Sequence, residues 1–395
     1  MPATTATRTV FTVPSKDLLR ALNATKIAAA RRPSVPCLAG TLIRASRDGA
    51  LHLSQFDYDT LVDVELDAHI SDETTLLIHH GALLTALNAL RSIVTPKKAD
   101  ATDVSLTLEE EGPALTFAGY SIPLEDMPVE DYPTLPQAPE IIARFATADY
   151  TTALARVAAA AGTDDTLPVL TGANLHITED GLSRLETTDR YRMAVAPLSP
   201  QGLMVPGDYN LPVKPLVAVA KHWSGTGTVE VLSDDQDEYG LAGVRAEGIT
   251  LITRRLDKHI ASSVIDTVLS KDIAGAATVD RKLLATDIKA AGKLSTPGGS
   301  VDIWQHDQHG MEVAPNAVIP GRRASAPVRA VEVTGAPHHH RVAKITFLAD
   351  GVNAITSDRL TVHYSTGMEL VLTAEGDRPD DPMAFRYLVM CIRQR

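Results

Sequence analysis

Apolar residues recur at helical spacing in six stretches of this chain, with strand-like alternation between them. Leu18, Leu19, Leu22 and Ile27 predict a helix over 15–32, and Tyr150, Leu154 and Val157 one over 148–161. Four more are expected over 79–92, 213–224, 280–294 and 348–357. The first two follow short extended pieces, Thr9 to Val13 and Ala143 to Ala146. The turn pair Asp48-Gly49 followed by Ala50-Leu-His-Leu-Ser predicts a β-hairpin. Strand-like runs from Thr228 to Leu232 and from Ile249 to Arg254 close the middle of the chain.

The same pattern occurs more than once. Shifted by 132 residues, Pro36 meets Pro168, Leu38 meets Leu170, and Gly40 meets Gly172. Asp48-Gly49 then meets Asp180-Gly181, Leu53 meets Leu185, and Asp57 meets Asp189. A more degenerate third copy fits at an offset of 266, where Val13 falls on Val279, Leu18 on Leu284 and Leu22 on Ile288. In that copy a single strand, Val301 to Gln305, is expected in the hairpin's place. The chain therefore reads as an α+β protein: three tandem copies of a strand–helix–hairpin–strand–helix–strands module with mainly antiparallel sheet. Linkers are expected near 133–140 and 261–275, which puts the modules at 1–137, 138–262 and 263–395.

Composition narrows the class. The 395 residues are 44% hydrophobic, which excludes a wholly disordered chain. The two cysteines, Cys37 and Cys391, are too far apart in sequence for a CxxC site or a disulfide framework. A reducing, cytoplasmic compartment is expected, with no leader and no membrane span. The formal charge of −12 argues at first against a nucleic-acid binder. Split by element, however, the six predicted helices carry +8 and everything else −20, and none of those helices contains a glutamate. Lysine and arginine are good helix formers, but so is glutamate, so propensity does not explain the asymmetry. A helical surface facing a polyanion does. Trp223 and Trp304 stand apart, and no basic segment interleaves aromatic rings, so contacts to phosphates without sequence readout are expected.

Catalytic patterns are weak. Asp57, Asp59 and Asp63 resemble a carboxylate cluster for Mg²⁺, but only Asp57 has a counterpart, Asp189, in the second copy, which suits a turn. His338, His339 and His340 are too close in sequence to converge on one ion and read as a solvated loop. His79-His80 reads as a helix start. Gly225-Thr-Gly-Thr and Pro297-Gly-Gly-Ser lack the Lys-Ser/Thr ending of a phosphate loop. No catalytic residue, cofactor or metal is expected.

Specific strings then point to a family. Arg32-Pro-Ser-Val-Pro-Cys-Leu-Ala-Gly40, Ser121-Ile-Pro-Leu-Glu-Asp-Met-Pro-Val-Glu-Asp-Tyr-Pro-Thr-Leu135, Thr187-Thr-Asp-Arg-Tyr-Arg-Met-Ala-Val195 and Tyr387-Leu-Val-Met-Cys-Ile-Arg393 are spread across essentially the whole chain. Together they resemble the bacterial DNA sliding clamp, the beta subunit of DNA polymerase III, in a divergent actinobacterial-type form. That resemblance implies a non-catalytic processivity factor, a head-to-tail homodimeric ring with sheets outside and two helices per module inside. It implies double-stranded DNA, the polymerase III alpha subunit, the clamp loader and other clamp-binding-motif proteins as partners. DNA-facing positions would be Lys16, Arg20, Lys26, Arg31, Arg32, Arg91, Arg156, Lys214, Lys221, Arg281, Lys282 and Lys289, with Lys293 in the same basic set. A partner-peptide pocket would be lined by Val169, Leu170, Thr188, Arg190, Tyr191, Arg192, Met193, Met390, Ile392 and Arg393. The dimer interface would include Ile122, Leu124 and Leu294.

The chain departs from the family pattern in two places. Lys258-His-Ile-Ala-Ser-Ser-Val-Ile265 lacks the proline and aromatic ring usual there, and Cys391 and Gln394-Arg395 replace the usual C-terminal proline and leucine. Both bear on partner preference. The alternatives are a specialised clamp variant, mobile-element-encoded or inhibitor-resistant, with an altered pocket, and more distantly a metal-dependent nuclease using Asp57 and Asp59.

Overall fold

The computed structural model describes residues 7–29, 33, 35–234, 240–256, 258–296, 298–306, 310–316, 324–335 and 339–393. The chain divides into two compact units, the first made of residues 1–147 and 214–255, the second of 148–213 and 256–395.

In unit one, five antiparallel strands run in the order His69–Ile70, Arg8–Pro14, Asp103–Glu109, Gly112–Phe117, Tyr120–Pro123. Another nine run from Asp126–Met127 through Thr74–His79, Gly40–Ala45, Ala50–Phe56 and Thr60–Asp67 to Ile249–Arg254, Leu241–Ala246, Thr228–Ser233 and Ile141–Ala146. Thr60–Asp67 meets Ile249–Arg254 with Val62 opposite Leu251, so the end of the second copy is hydrogen-bonded to the hairpin of the first.

Unit two repeats the arrangement. Its nine-stranded sheet runs Gly207–Pro212, Gly172–Ile177, Ser183–Thr188, Arg192–Leu198, Arg386–Met390, Glu369–Ala374, Arg359–Ser365, Ile273–Asp280, Glu332–Gly335. Here Arg192–Leu198 meets Arg386–Met390, joining the second copy to the end of the third. A four-stranded sheet holds Arg329–Ala330, Gly310–Pro315, Ser300–Gln305 and His340–Lys344.

All six expected helices form, as α1 (Ser15–Thr25), α2 (His80–Ser92), α4 (Thr147–Ala158), α5 (Val213–Ala220), α7 (Arg281–Leu294) and α8 (Ile345–Ala354), and two more, α3 (Pro96–Asp100) and α6 (Ser262–Leu269), join them. Amphipathic spacing explains their orientation. α1 buries Leu18, Ala21 and Leu22, and α7 buries Leu284, Ile288 and Ala291. Caps fix the starts, since Asp280 accepts from the Leu283 N–H at 2.9 Å and His79 from Ala82 at 3.2 Å.

Several expectations need correcting. α1 stops at Thr25, whose hydroxyl bonds back to the Leu22 carbonyl, and a 3₁₀ turn follows over Lys26–Ala28. α8 starts three residues before 348 and ends at Ala354. The third copy keeps a full hairpin, Ser300–Gln305 with Gly310–Pro315, rather than one strand. Residues 261–275 are not a plain linker, because they hold α6 and the start of the strand Ile273–Asp280. His339 and His340 are packed rather than solvated: His339 stacks on Tyr364, and His340 stacks on Trp304 while contacting Asp302 at 2.6 Å. His338 lies outside the described residues.

Candidate functional site

The repeated aspartates are turn residues. Asp57 accepts from the backbone N–H groups of Asp59 and Thr60, and Asp189 from those of Tyr191 and Arg192. Between them Tyr58 and Arg190 sit at φ +76° and +78°, a left-handed conformation costly for a side-chain-bearing residue and held here by the aspartate's bonds. The turn glycines at the same offset, Gly49 and Gly181, have φ +93° and +92°. Asp59 pairs with Arg254 at 2.9 Å. Asp57 and Asp59 are thus committed to a turn and an ion pair, not turned together toward a metal. Among the described residues no cluster of His, Cys, Asp and Glu could hold one.

The turn at Asp189 sets one rim of a cavity of about 340 Å³ in unit two. Arg190 projects from the turn, while Arg192 is fixed by Asp189 at 2.8 Å, by Asp350, and by Phe347, whose ring centre lies 4.6 Å from the guanidinium carbon. The walls are apolar because the two paired strands alternate: Met193 on one, Leu388 and Met390 on the other. Val264 and Val268 of α6, with Ile260 just before it, close the third side over a floor of Val195, Ile265, Leu269 and Val371. Lys271 and Glu369 form an ion pair at the edge.

A polar cluster fastens the segment leading into α6. Asn210 donates to the Lys258 carbonyl at 2.7 Å, and the Ser262 hydroxyl donates to Glu186 at 2.8 Å and to Asp208 at 3.3 Å. His176 and His259 approach the same Asp208 carboxylate at 2.9 and 3.4 Å. Burial would raise the pKa of Asp208, but Asn174 and the two histidines prevail and hold it below the usual carboxylate range. The departing segment 258–265 therefore builds a wall from a different set of residues. Burial pushes the Cys391 thiol up to about 12, leaving a neutral packing group there.

Of the ten expected pocket residues, Thr188, Arg190, Arg192, Met193 and Met390 line this cavity. Val169 lines a small recess that also touches Thr188 and Ile260. Leu170 is a buried core residue. Tyr191 is exposed and stacks on Phe347, and Ile392 and Arg393 are exposed beyond the last strand. Ile260 and Val264 belong to the departing segment 258–265 expected at the pocket border, whereas Val268, Lys271, Glu369 and Leu388 are additions of the structure. The i, i+4, i+8 spacing of Ile260, Val264 and Val268 carried the signal.

The basic set separates by chemistry. Lys16, Lys26, Lys214, Lys221, Lys282, Lys289 and Lys293 are all exposed. The described arginines are tied down. Arg20 donates to the His222 carbonyl and pairs with Glu247, and Arg91 binds Ser15 and Asp100. Arg156 donates to Thr356 and covers the Phe385 ring, and Arg281 donates to the Ser357 carbonyl. Arg31 and Arg32 lie outside the described residues. Among the expected interface residues, Ile122 is half-buried in the end strand Tyr120–Pro123 and Leu294 is 75% exposed at the end of α7. Leu124 is buried within its own chain, with its N–H on the Pro113 carbonyl, and offers little area to a partner.

Two family models match, the DNA polymerase III beta subunit N-terminal domain over residues 9–136 and its central domain over 145–260. The beta sliding clamp of Streptomyces coelicolor is 29% identical over 371 residues, covering 92% of this chain and 93% of the relative. That of Micrococcus luteus is 32% identical over 224 residues, covering 56% of this chain and 69% of the relative. The crystal structure of the DNA polymerase sliding clamp from Bacillus subtilis superposes with a TM-score of 0.82 at 16% identity, covering 98% of this chain and all of that one.

Proposed function

The chain belongs to the beta sliding clamp family, the beta subunits of DNA polymerase III, and on that premise we propose how its residues divide the work. It is a non-catalytic processivity factor of DNA replication, with DNA and a polymerase as partners and a dimeric ring as its assembly. The finer reading is ours: modules at 1–137, 138–262 and 263–395, two chains closing head to tail around duplex DNA in the cytoplasm. No helix among the described residues is long and apolar enough to cross a membrane.

One observation carries the closure. At both internal junctions the third strand of one copy's first half pairs with the last strand of the next copy, Thr60–Asp67 with Ile249–Arg254 and Arg192–Leu198 with Arg386–Met390. The two remaining strands of these types, Tyr120–Pro123 and Arg329–Ala330, lie at the ends of their sheets. Each supplies what the other lacks, and a second copy of the chain brings them together. Arg329 is anchored for this by a two-pronged bond to Asp287 of α7, at 2.7 and 2.8 Å.

The exposed lysines supply phosphate contacts that are individually weak and lack sequence preference, so a closed ring slides while its topology prevents loss. The cavity beside α6 takes the clamp-binding segments of the polymerase alpha subunit, the clamp loader and other partners. Met193 and Met390 offer adaptable apolar surface there, and Arg190 and Arg192 offer donors to peptide carbonyls. The test is retention: once loaded, the protein stays on closed circular DNA and runs off after one cut. Equal retention on cut and uncut DNA would refute encirclement.

A further inference from the structure

The register that builds the cavity beside α6 recurs in unit one. In unit two, Met193 lies opposite Leu388, and Met390 opposite Glu369. In unit one, Leu61, at the offset of 132 from Met193, lies opposite Ile252, and Arg254 opposite Leu241. Ile252 therefore fills the slot of Leu388, Arg254 that of Met390, and Leu241 that of Glu369. Phe56 and Tyr58 stand where Thr188 and Arg190 do.

All of these unit-one residues except Leu61 line a cavity of about 640 Å³, larger than its counterpart and within the range of small-ligand pockets. Its remaining wall is the extended stretch 134–139, with Leu135, Pro136 and Pro139. The chemistry differs from that of unit two. Phe56 and Tyr58 bring two rings 5.8 Å apart, and Tyr58 is 52% exposed because its left-handed turn lifts it clear of the strand. Among the described lining residues, Asp59 pairs with Arg254 at 2.9 Å and Asp234 adds a second carboxylate, a net of −1. The unit-two cavity has Arg190, Arg192 and Lys271 against Glu369, a net of +2.

We propose that the unit-one cavity is a second docking groove, for extended peptides that carry an apolar anchor flanked by lysine or arginine. The apolar walls take the anchor. The net negative charge of the lining and the exposed ring of Tyr58 suit a cation, drawn in by charge and by cation–π attraction. The same acidic edge repels DNA, so this groove serves protein partners. Opposite charge at the two grooves lets one chain recruit two kinds of partner without competition. The proposal uses the repeat register and goes beyond the partner site proposed beside α6.

Two fluorescein-labelled octapeptides with one Leu-Phe anchor test it by anisotropy on the full chain, one flanked by lysines and one by glutamates. The lysine-flanked peptide binds, and Tyr58→Asn, which tolerates the left-handed backbone, weakens it about tenfold or more. Asp59→Lys, at an exposed position, does the same, whereas Met390→Ala weakens only the glutamate-flanked peptide. The proposal is overturned if the lysine-flanked peptide does not bind, if it ignores both Tyr58→Asn and Asp59→Lys, or if Met390→Ala abolishes its binding. Failure of the glutamate-flanked peptide alone counts against the site beside α6 and leaves the second groove standing.

Discussion

Two buried histidines tie the stability of this protein to pH. His80 has its Nδ1 2.9 Å from the Thr41 hydroxyl oxygen, and His363 its Nε2 2.9 Å from that of Thr373. Burial, reinforced at His80 by nearby Lys26 and His79, lowers each pKa to about 4. Unfolded, both return to the ordinary value near 6.5. Below that value the unfolded chain binds more protons than the native one, so stability is whole at neutral pH and falls as pH drops from about 6.5 to 4. Each histidine contributes on the order of 3 kcal/mol to that fall. Urea unfolding across this range should show the loss, and the double variant His80→Gln, His363→Gln should flatten it. An unchanged pH slope in the double variant would sink the assignment.

At the scale of elements, the end strand Tyr120–Pro123 carries the test of head-to-tail closure. Its Ile122 lies opposite Leu115 on one side. Ile122→Lys puts a charge on the edge, a device that blocks strand addition at small cost to the fold. Light scattering should then report monomers where the unaltered chain gives dimers, with little change in melting temperature. A persistent dimer would move the interface elsewhere. This logic was legible in the sequence because the offset of 132 aligned Asp57 with Asp189 and Gly40 with Gly172, residues whose backbone roles survive divergence. The same reliance on repetition hid α6. The first copy has only the linker 133–140 at that place, so 261–275 was expected to be a linker despite its i, i+4 apolar spacing. The strands Leu241–Ala246 and Gly310–Pro315 were missed for want of an Asp-Gly turn beside them. Half the pocket followed from motif strings on the two paired strands. Leu388 sits on the same string as Met390, and the rest comes from Ile260, α6, Lys271 and Glu369, which the fold brings alongside.

Across the whole molecule, we propose that the acidity of −12 coexists with DNA binding through the positive balance of the helices expected from the sequence, +8 against −20 elsewhere. The structure divides that set further: its described lysines are exposed, while its described arginines hold carbonyls, hydroxyls and carboxylates of their own chain. α7 shows the division on one helix. Lys282, Lys289 and Lys293 fall on its exposed side, and Arg281 at its start donates to the Ser357 carbonyl. Each phosphate contact contributes about 0.9 to the slope of log affinity against log salt on duplex DNA. The double variant Lys282→Ala, Lys289→Ala should therefore lower that slope by about 2 in a salt titration on a short linear duplex, and leave the unfolding midpoint nearly unchanged. Arg281→Ala should do the reverse, lowering the unfolding midpoint with little effect on the slope. If the lysine pair changes stability and leaves the slope alone, the charge on α7 faces solvent, and the DNA-facing surface must be sought on other helices.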